Sequence, residues 1–237
     1  MKKLNFLSLI ILFQVQFFAQ YSNITKEVLY DVHPIGTKSV KKSTLTRAQK
    51  LDDILESYPN SWITSYQSVE ISTINNGKVT KATGKYSALS PEQKNNIASA
   101  DMFTEIIINV HYMHKDIVTK AEENNTMHVV LTVHPDIDAE YLTGNENLIP
   151  YLKNNHSNVV SSWILSQKKS VKLQFTINEN GKVENVIVKK SSGDSNIDYI
   201  LMDSLYKMPK WKAAQNKEGV KVKQVFEYVL NGETNGC

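Results

Sequence analysis

The chain has 237 residues, of which 41% are hydrophobic and 22% charged, as is typical of a folded globular protein. Nine glycines and six prolines exclude collagen-like and proline-rich stalk sequences, and no internal apolar stretch reaches the ~20 residues that cross a bilayer. The formal net charge of +3 is too small for a dedicated nucleic-acid binder. We therefore expect one large or two small globular domains and no nucleic-acid partner.

Residues 1–19 have the features of an export signal. Two lysines precede an apolar stretch that runs from Leu4 to Phe18, and Ala19 stands before Gln20. A basic start, about fifteen apolar residues and a small residue at the end predict a cleaved signal peptide and an exported protein. The alternative is a short anchor retained in the membrane, although polar residues interrupt the apolar stretch.

Residues 20–134 are predicted to form a strand-rich accessory domain. A short strand is expected at 28–32, and the apolar spacing between Thr44 and Tyr58 predicts a helix near 44–58. Alternating residues on both sides of Asn75-Asn76-Gly77 predict a hairpin with a tight turn. The segments Gly77–Gly84, Leu89–Lys94 and Ile106–Tyr112 together resemble accessory domains of Bacteroidota envelope proteins.

Further elements of this half follow the hairpin. Ser90 before Pro91, with Gln93 at capping-box distance, predicts the start of a short helix. The β-branched segments 103–112 and 127–133 predict two more strands.

Residues 135–230 are predicted to form an α+β domain, and residues 231–237 a polar tail. Its elements are a short helix at 147–155, strands at 171–177 and 183–188, a helix from Ile197 that Pro209 ends, and a long last strand at 220–230. This order places one helix across an antiparallel sheet. The only cysteine, Cys237, cannot form an internal disulfide; it is expected to be incidental, and a cross-link that makes a homodimer is the alternative.

Three sequence blocks in the second half carry a family resemblance. They are the Asn178-Glu-Asn-Gly turn between two alternating runs, the Ser191-Ser-Gly-Asp motif before a helix, and Pro209-Lys-Trp211 followed by Gly-Val-Lys-Val. Together they resemble the TonB C-terminal domain, a module of energy transducers in Gram-negative envelopes, in the form common among Bacteroidota. The structural motif residues are Gly181, Ser191, Ser192, Gly193, Asp198, Pro209, Trp211 and Gly219.

The resemblance implies a partner and a place where it binds. In the family, an extended N-terminal segment of an outer-membrane TonB-dependent receptor pairs with the sheet, and an inner-membrane motor driven by the proton gradient supplies force. An edge strand has unpaired backbone groups that such a peptide can join. By resemblance the edge strand is 220–230, and the partner-binding residues are Val220, Lys221, Val222, Lys223, Gln224, Val225, Phe226, Glu227 and Tyr228.

Two departures from the family pattern favour a second hypothesis. The sequence has no proline-rich spacer to reach across the periplasm, and Ala213-Ala214 replaces the Pro-Ala expected after Trp211-Lys. The alternative is therefore a soluble periplasmic interaction or structural protein that keeps the TonB fold without energy coupling.

Catalytic and metal-binding patterns are weak. His111 and His114 are three residues apart, so on a strand their imidazoles would face opposite sides of the sheet. No Gly-x-Ser-x-Gly, HExxH or phosphate-loop motif occurs. We expect no enzyme activity, no metal and no cofactor.

Overall fold

The computed structural model describes residues 27–232 except 57, 59, 60, 76, 156, 157 and 168. The predicted signal peptide, most of the polar tail and Cys237 lie outside the described residues. The strands are β1 Leu29–Pro34, β2 Ser39–Lys41, β3 Ile63–Asn75, β4 Lys78–Gly84, β5 Glu105–Lys115, β6 Glu122–His134, β7 Glu140–Tyr141, β8 Ser170–Ile177, β9 Val183–Lys190, β10 Trp211–Lys212, β11 Ala214–Gln215, β12 Lys221–Val222 and β13 Gln224–Asn231. The helices are α1 Lys42–Arg47, α2 Pro91–Ala98, α3 Leu148–Asn155, α4 Asn158–Gln167 and α5 Ser195–Tyr206, with 3₁₀ turns at Leu51–Asp53 and Asn145–Asn147.

The first half is built on a five-stranded sheet in the order β2-β6-β5-β3-β4. Its neighbours are antiparallel except β2 and β6, which are parallel. The predicted hairpin is present as β3 and β4, with Asn75 opposite Lys78. The predicted capping box is also present, because the Ser90 hydroxyl accepts from the backbone N–H of Gln93 and the Gln93 side chain accepts from that of Ser90.

The helix predicted near 44–58 is largely wrong. Helix α1 ends at Arg47 because the following backbone pairs with the segment before α2 instead. Leu51 donates its N–H to the carbonyl of Ser87, and Leu89 donates to that of Gln49. The apolar residues that predicted the helix are nevertheless buried, among them Leu45 and Leu51.

The second half contains a separate apolar core on a four-stranded antiparallel sheet in the order β1-β13-β8-β9. Helix α5 packs near this sheet, so the predicted α+β class is confirmed. Helix α4 was not predicted. Its signal is the pair Val160 and Ile164, which are one turn apart and fully buried.

Strand β1 lies in an unexpected place. The sequence placed residues 28–32 in the accessory domain, but β1 pairs with β13 in the C-terminal sheet, and Val28 is buried in the same core. The accessory domain as predicted, beginning at residue 20, therefore needs correction: the segment through Pro34 packs with the C-terminal half.

The turn between β8 and β9 depends on Gly181. Its φ is +74°, and a Cβ atom built on it would lie 1.9 Å from the backbone oxygen of Trp211. Gly219 has nearly the same φ of +78°, but a Cβ there would meet only the Gln215 side chain at 3.8 Å. Alanine substitutions at these two glycines can therefore be compared. The comparison separates the free-energy cost of the left-handed backbone from that of a steric clash.

We expect Gly181→Ala to lower the free energy of unfolding by more than about 2 kcal/mol, because the left-handed backbone costs 1–2 kcal/mol and the clash with Trp211 adds to it. Gly219→Ala should cost only the first contribution, about 1 kcal/mol. Urea unfolding monitored by tryptophan fluorescence measures both. Equal losses in the two variants would contradict the close approach of Gly181 to Trp211.

Candidate functional site

The last strand has one buried face. Gln224, Phe226, Tyr228 and Leu230 alternate with half-buried residues along β13. The ring of Phe226 stacks on that of Phe175, with centroids 5.5 Å apart and planes 16° apart. This face anchors β13 in the core, so partner contacts through the strand depend on its backbone and its other face.

Trp211 packs at the end of this core. The residue is 3% exposed, and its ring lies 5.1 Å from Phe226 and 5.5 Å from Tyr141. The indole Nε1 is buried and has no hydrogen-bond partner among the described residues. Aromatic packing therefore holds the side chain in place, and Pro209 lies between it and the end of α5 at Tyr206.

The edge that the sequence assigned to 220–230 is not vacant. Strand β13 lies between β8 on one side and β1 on the other. Strand β1 runs antiparallel to it from Leu29, opposite Asn231, to Pro34, opposite Phe226. The pairing continues past β1, because Ile35 donates its N–H to the carbonyl of Val225 at 3.2 Å. The expected edge position of this strand is therefore wrong.

Side chains of β1 reinforce the backbone pairing. The hydroxyl of Tyr30 is 2.9 Å from that of Ser161, and the amine of Lys153 lies 5.5 Å from the centre of the Tyr30 ring. The Tyr30 and Tyr228 rings are 6.4 Å apart, and burial raises the pKa of Tyr228. On the other face, His33 Nε2 lies 3.6 Å from a carboxylate oxygen of Glu227.

The first part of the predicted strand is a separate element. Lys221 and Val222 form β12, which pairs with β11 in a small hairpin, and Val220 lies in the turn that contains Gly219. The amine of Lys223 is 2.7 Å from a carboxylate oxygen of Glu184. This hydrogen bond raises the pKa of Lys223 and lowers that of Glu184.

Gln224 fixes the point where β13 begins. Its side chain is fully buried. Its Oε1 accepts from the backbone N–H of Ala139 at 2.6 Å, and its Nε2 donates to Asp138 Oδ1 at 2.8 Å. The sequence did not predict this role, because the partners lie more than eighty residues away. Of the nine residues assigned to partner binding, Gln224 to Tyr228 thus belong to one strand beside β1.

The Ser191-Ser-Gly-Asp motif builds the connection from β9 to α5. Asp198 accepts from the Ser191 hydroxyl at 2.5 Å and from the Ser192 N–H at 2.8 Å. Asp194 caps α5 by accepting from the N–H groups of Asn196 and Ile197, and Gly193 has a φ of +88°. Burial alone would raise the pKa of Asp198, but the hydrogen bonds outweigh it and the pKa is lowered.

Three histidines of the accessory domain make separate contacts. His111 Nδ1 is 3.1 Å from the Thr126 hydroxyl, and His128 Nδ1 is 2.7 Å from the Asn109 side-chain oxygen. His134 Nε2 is 2.8 Å from the carbonyl of Ile35. Among residues 27–232, apart from the gaps given above, no three His, Cys, Asp or Glu side chains are grouped as a metal site requires.

The C-terminal half therefore defines a small α+β module whose sheet is completed by a strand from far upstream. The family model of the Gram-negative bacterial TonB protein C-terminal matches residues 166–230. The predicted resemblance is thus confirmed, and this segment is a TonB C-terminal domain. The match leaves the first 165 residues uncovered. No curated protein and no solved structure gives a significant match to the chain.

The family match supports a general assignment. The domain belongs to a transport-associated, non-enzymatic family whose members interact with outer-membrane receptors, and it indicates a TonB-like protein of the cell envelope. In the part of the chain that the structure describes, none of the helices has the length and apolar character of a membrane span.

Asp198 offers a pH-dependent test of the motif. Because its pKa is lowered on folding, its stabilisation is complete above the unfolded-state pKa of 3.8 and is lost as the pH falls through the lower folded-state pKa. We expect Asp198→Asn to reduce stability at pH 7 by about 1 kcal/mol, a value that allows for partial solvent exposure. The difference from wild type should shrink below pH 3.8.

Thermal unfolding of both proteins between acidic and neutral pH measures this difference. Asp203→Asn is the control, because it removes an exposed ion pair with Lys207, the residue that follows α5, and should cost at most about 0.5 kcal/mol. A loss in Asp198→Asn that stays constant over the whole pH range would show that its carboxylate charge has no such role.

Proposed function

We propose that this protein is a periplasmic TonB-like protein that binds an extended receptor peptide by strand addition along β13. The guest peptide takes the place of β1 and forms hydrogen bonds with the backbone of Val225, Glu227 and Val229. Its source is an outer-membrane TonB-dependent receptor, which the family match supports for the domain in general.

The observation that carries this proposal is the pairing of β1 with β13. The two strands are about two hundred residues apart along the chain, yet they pair over six residues in an antiparallel register. Strand β13 therefore has the backbone geometry to accept an extended segment that is not its sequence neighbour. Since strand addition depends mainly on main-chain hydrogen bonds, a guest of different sequence can make the same bonds.

The contacts that hold β1 in the sheet are compatible with its replacement by a guest peptide. Its side chains are mostly half-buried or exposed, and Leu29 is 53% exposed. Its polar contacts to Ser161 and Glu227 lie at partly exposed positions, where each contributes modestly to stability. A guest with a higher affinity than β1 can therefore compete for the edge, and its own apolar side chains would have to replace those of Val28, Tyr30 and Val32, which pack against the core.

Force transduction extends this function. If residues 4–19 remain in the inner membrane, the chain could meet a proton-driven motor there and transmit its force to the bound receptor. Binding without such an anchor gives the second candidate function, a soluble periplasmic interaction protein. The observation that favours the second candidate is the closed edge itself, because β1 keeps β13 paired in the absence of a guest.

A reversible disulfide between β1 and β13 tests whether a guest peptide can replace β1. Asp31 and Val229 are directly opposite each other. Opposite residues of a hydrogen-bonded antiparallel pair have Cα atoms about 5.5 Å apart, within the range that a disulfide spans. We expect the oxidised Asp31→Cys/Val229→Cys variant, with Cys237→Ser, to bind a fluorescent peptide that copies residues 28–35 at least about tenfold more weakly than the reduced variant. Fluorescence anisotropy measures both states of the same protein.

The Cys237→Ser protein without the new cysteines is the control, and oxidant should leave its affinity unchanged. Val225→Pro supplies a second variant, since it removes an N–H on the side of β13 that faces β1 and should weaken binding in every redox state. Equal affinity in the oxidised and reduced states would contradict exchange and would direct attention to the outer edges of β1 or β9.

A further inference from the structure

Strand β6 of the accessory sheet has a long open side. Strand β2 pairs only with its last three residues, Thr132 to His134, whereas β5 pairs along the other side from Glu122 to Thr132. Within the described residues, no strand faces the outer side of β6 between Glu122 and Leu131. This edge belongs to a different sheet from β13, so its use is independent of the function proposed above.

The backbone groups on this side can be assigned. Thr132 donates its N–H to the carbonyl of Lys38, on the β2 side, and Val133 donates to Thr104 on the opposite side. Because the directions of backbone N–H and C=O groups alternate along a strand, those of Val130 and His128 also point toward the open side of β6. Neither makes a backbone hydrogen bond there with a described residue. The open stretch ends at Thr126, whose N–H already bonds to the Asn125 side chain at 2.7 Å.

A cleft of about 670 Å³ adjoins this edge. Apolar side chains line part of it, including Leu55, Met127 and Val129, and polar residues such as Thr37 and Ser39 line the rest. Met127 and Val129 are only partly buried, although they pack against the accessory core. A strand placed beside Val130 would therefore bring alternate side chains close to Met127 and Val129, while its backbone would meet the unpaired groups.

One end of the cleft carries a positive charge. Lys38 lines the cleft immediately before β2 begins. No described acidic side chain lies within ion-pair distance of Lys38, including Glu56, which also lines the cleft. An anionic group at this end of a bound strand would therefore have a favourable partner.

We infer that the cleft binds an extended peptide of another protein, which continues the line of β2 along β6. The guest runs parallel to β6, as β2 does, and its carboxyl end lies beside Lys38. It forms backbone hydrogen bonds with His128 and Val130 and places apolar side chains at alternate positions over the cleft. The accessory domain is thus a second peptide-binding module.

The test uses the full chain and an acetylated peptide of about six residues in which threonine and valine alternate and the carboxyl terminus is unmodified. Val130→Pro should weaken binding at least about fivefold, because it removes an outward N–H and adds a ring at the open edge. The matched control is Val130→Thr, which keeps the amide and the side-chain shape and should bind like wild type. Circular dichroism confirms that both variants fold.

The charge at Lys38 is tested with the same peptide as its carboxyl-terminal amide. Wild type should bind the amide about two- to fivefold more weakly than the acid, and Lys38→Gln should bind the two equally. Backbone NMR shifts on binding should concentrate at His128 and Val130. Unchanged affinity in folded Val130→Pro, shifts confined to β13, or a dimer of the chain formed through β6 would each overturn the inference.

Discussion

The hydrogen bonds between β1 and β13 determine what the C-terminal domain can do. Without β1, the strand that carries Phe226 and Tyr228 would have a vacant edge, and vacant edges invite both partners and aggregation. With β1 in place, the same edge is protected and Val28, just before β1, is buried in the core. One set of backbone contacts thus completes the sheet and, in the proposed function, controls access to the strand that binds the guest.

The accessory sheet shows the opposite condition. There the short strand β2 covers only the end of β6 and, among the described residues, leaves the backbone groups of His128 and Val130 unpaired beside a partly apolar cleft. In the two proposals, each half of the chain uses the edge of a β-sheet for recognition, one edge closed by a strand of the chain and one partly open. A partner with two extended segments could then occupy the β13 edge and the β6 edge at the same time.

Local patterns in the sequence predicted most of the elements correctly. Alternation identified β8, β9 and the β3–β4 hairpin, and the Ser191 and Ser90 motifs identified their helix caps, because these features depend on residues close together in the chain. The predicted length of helix α1 was too great, since the same apolar spacing also suits a short helix followed by a turn that pairs with Ser87.

The edge assignment could not be made from the sequence. Strand neighbours are chosen by tertiary packing, and nothing in residues 29–34 specifies β13 as their partner. The role of Gln224 was missed for the same reason, because its partners Asp138 and Ala139 are remote in sequence. Residues that face the core are visible as a periodic pattern, whereas the occupancy of an edge is not.

Hydrogen exchange of the β13 amides in the full chain tests the central claim most directly. The amides of Glu227 and Val229 face β1, and those of Phe226 and Tyr228 face β8, as the bond from Ile35 to Val225 and the alternation of strand hydrogen bonds require. If β1 exchanges with guests, Glu227 and Val229 should exchange faster, because β1 opens without global unfolding. Equal protection at all four amides would show that β1 is a permanent part of the sheet and would contradict the account.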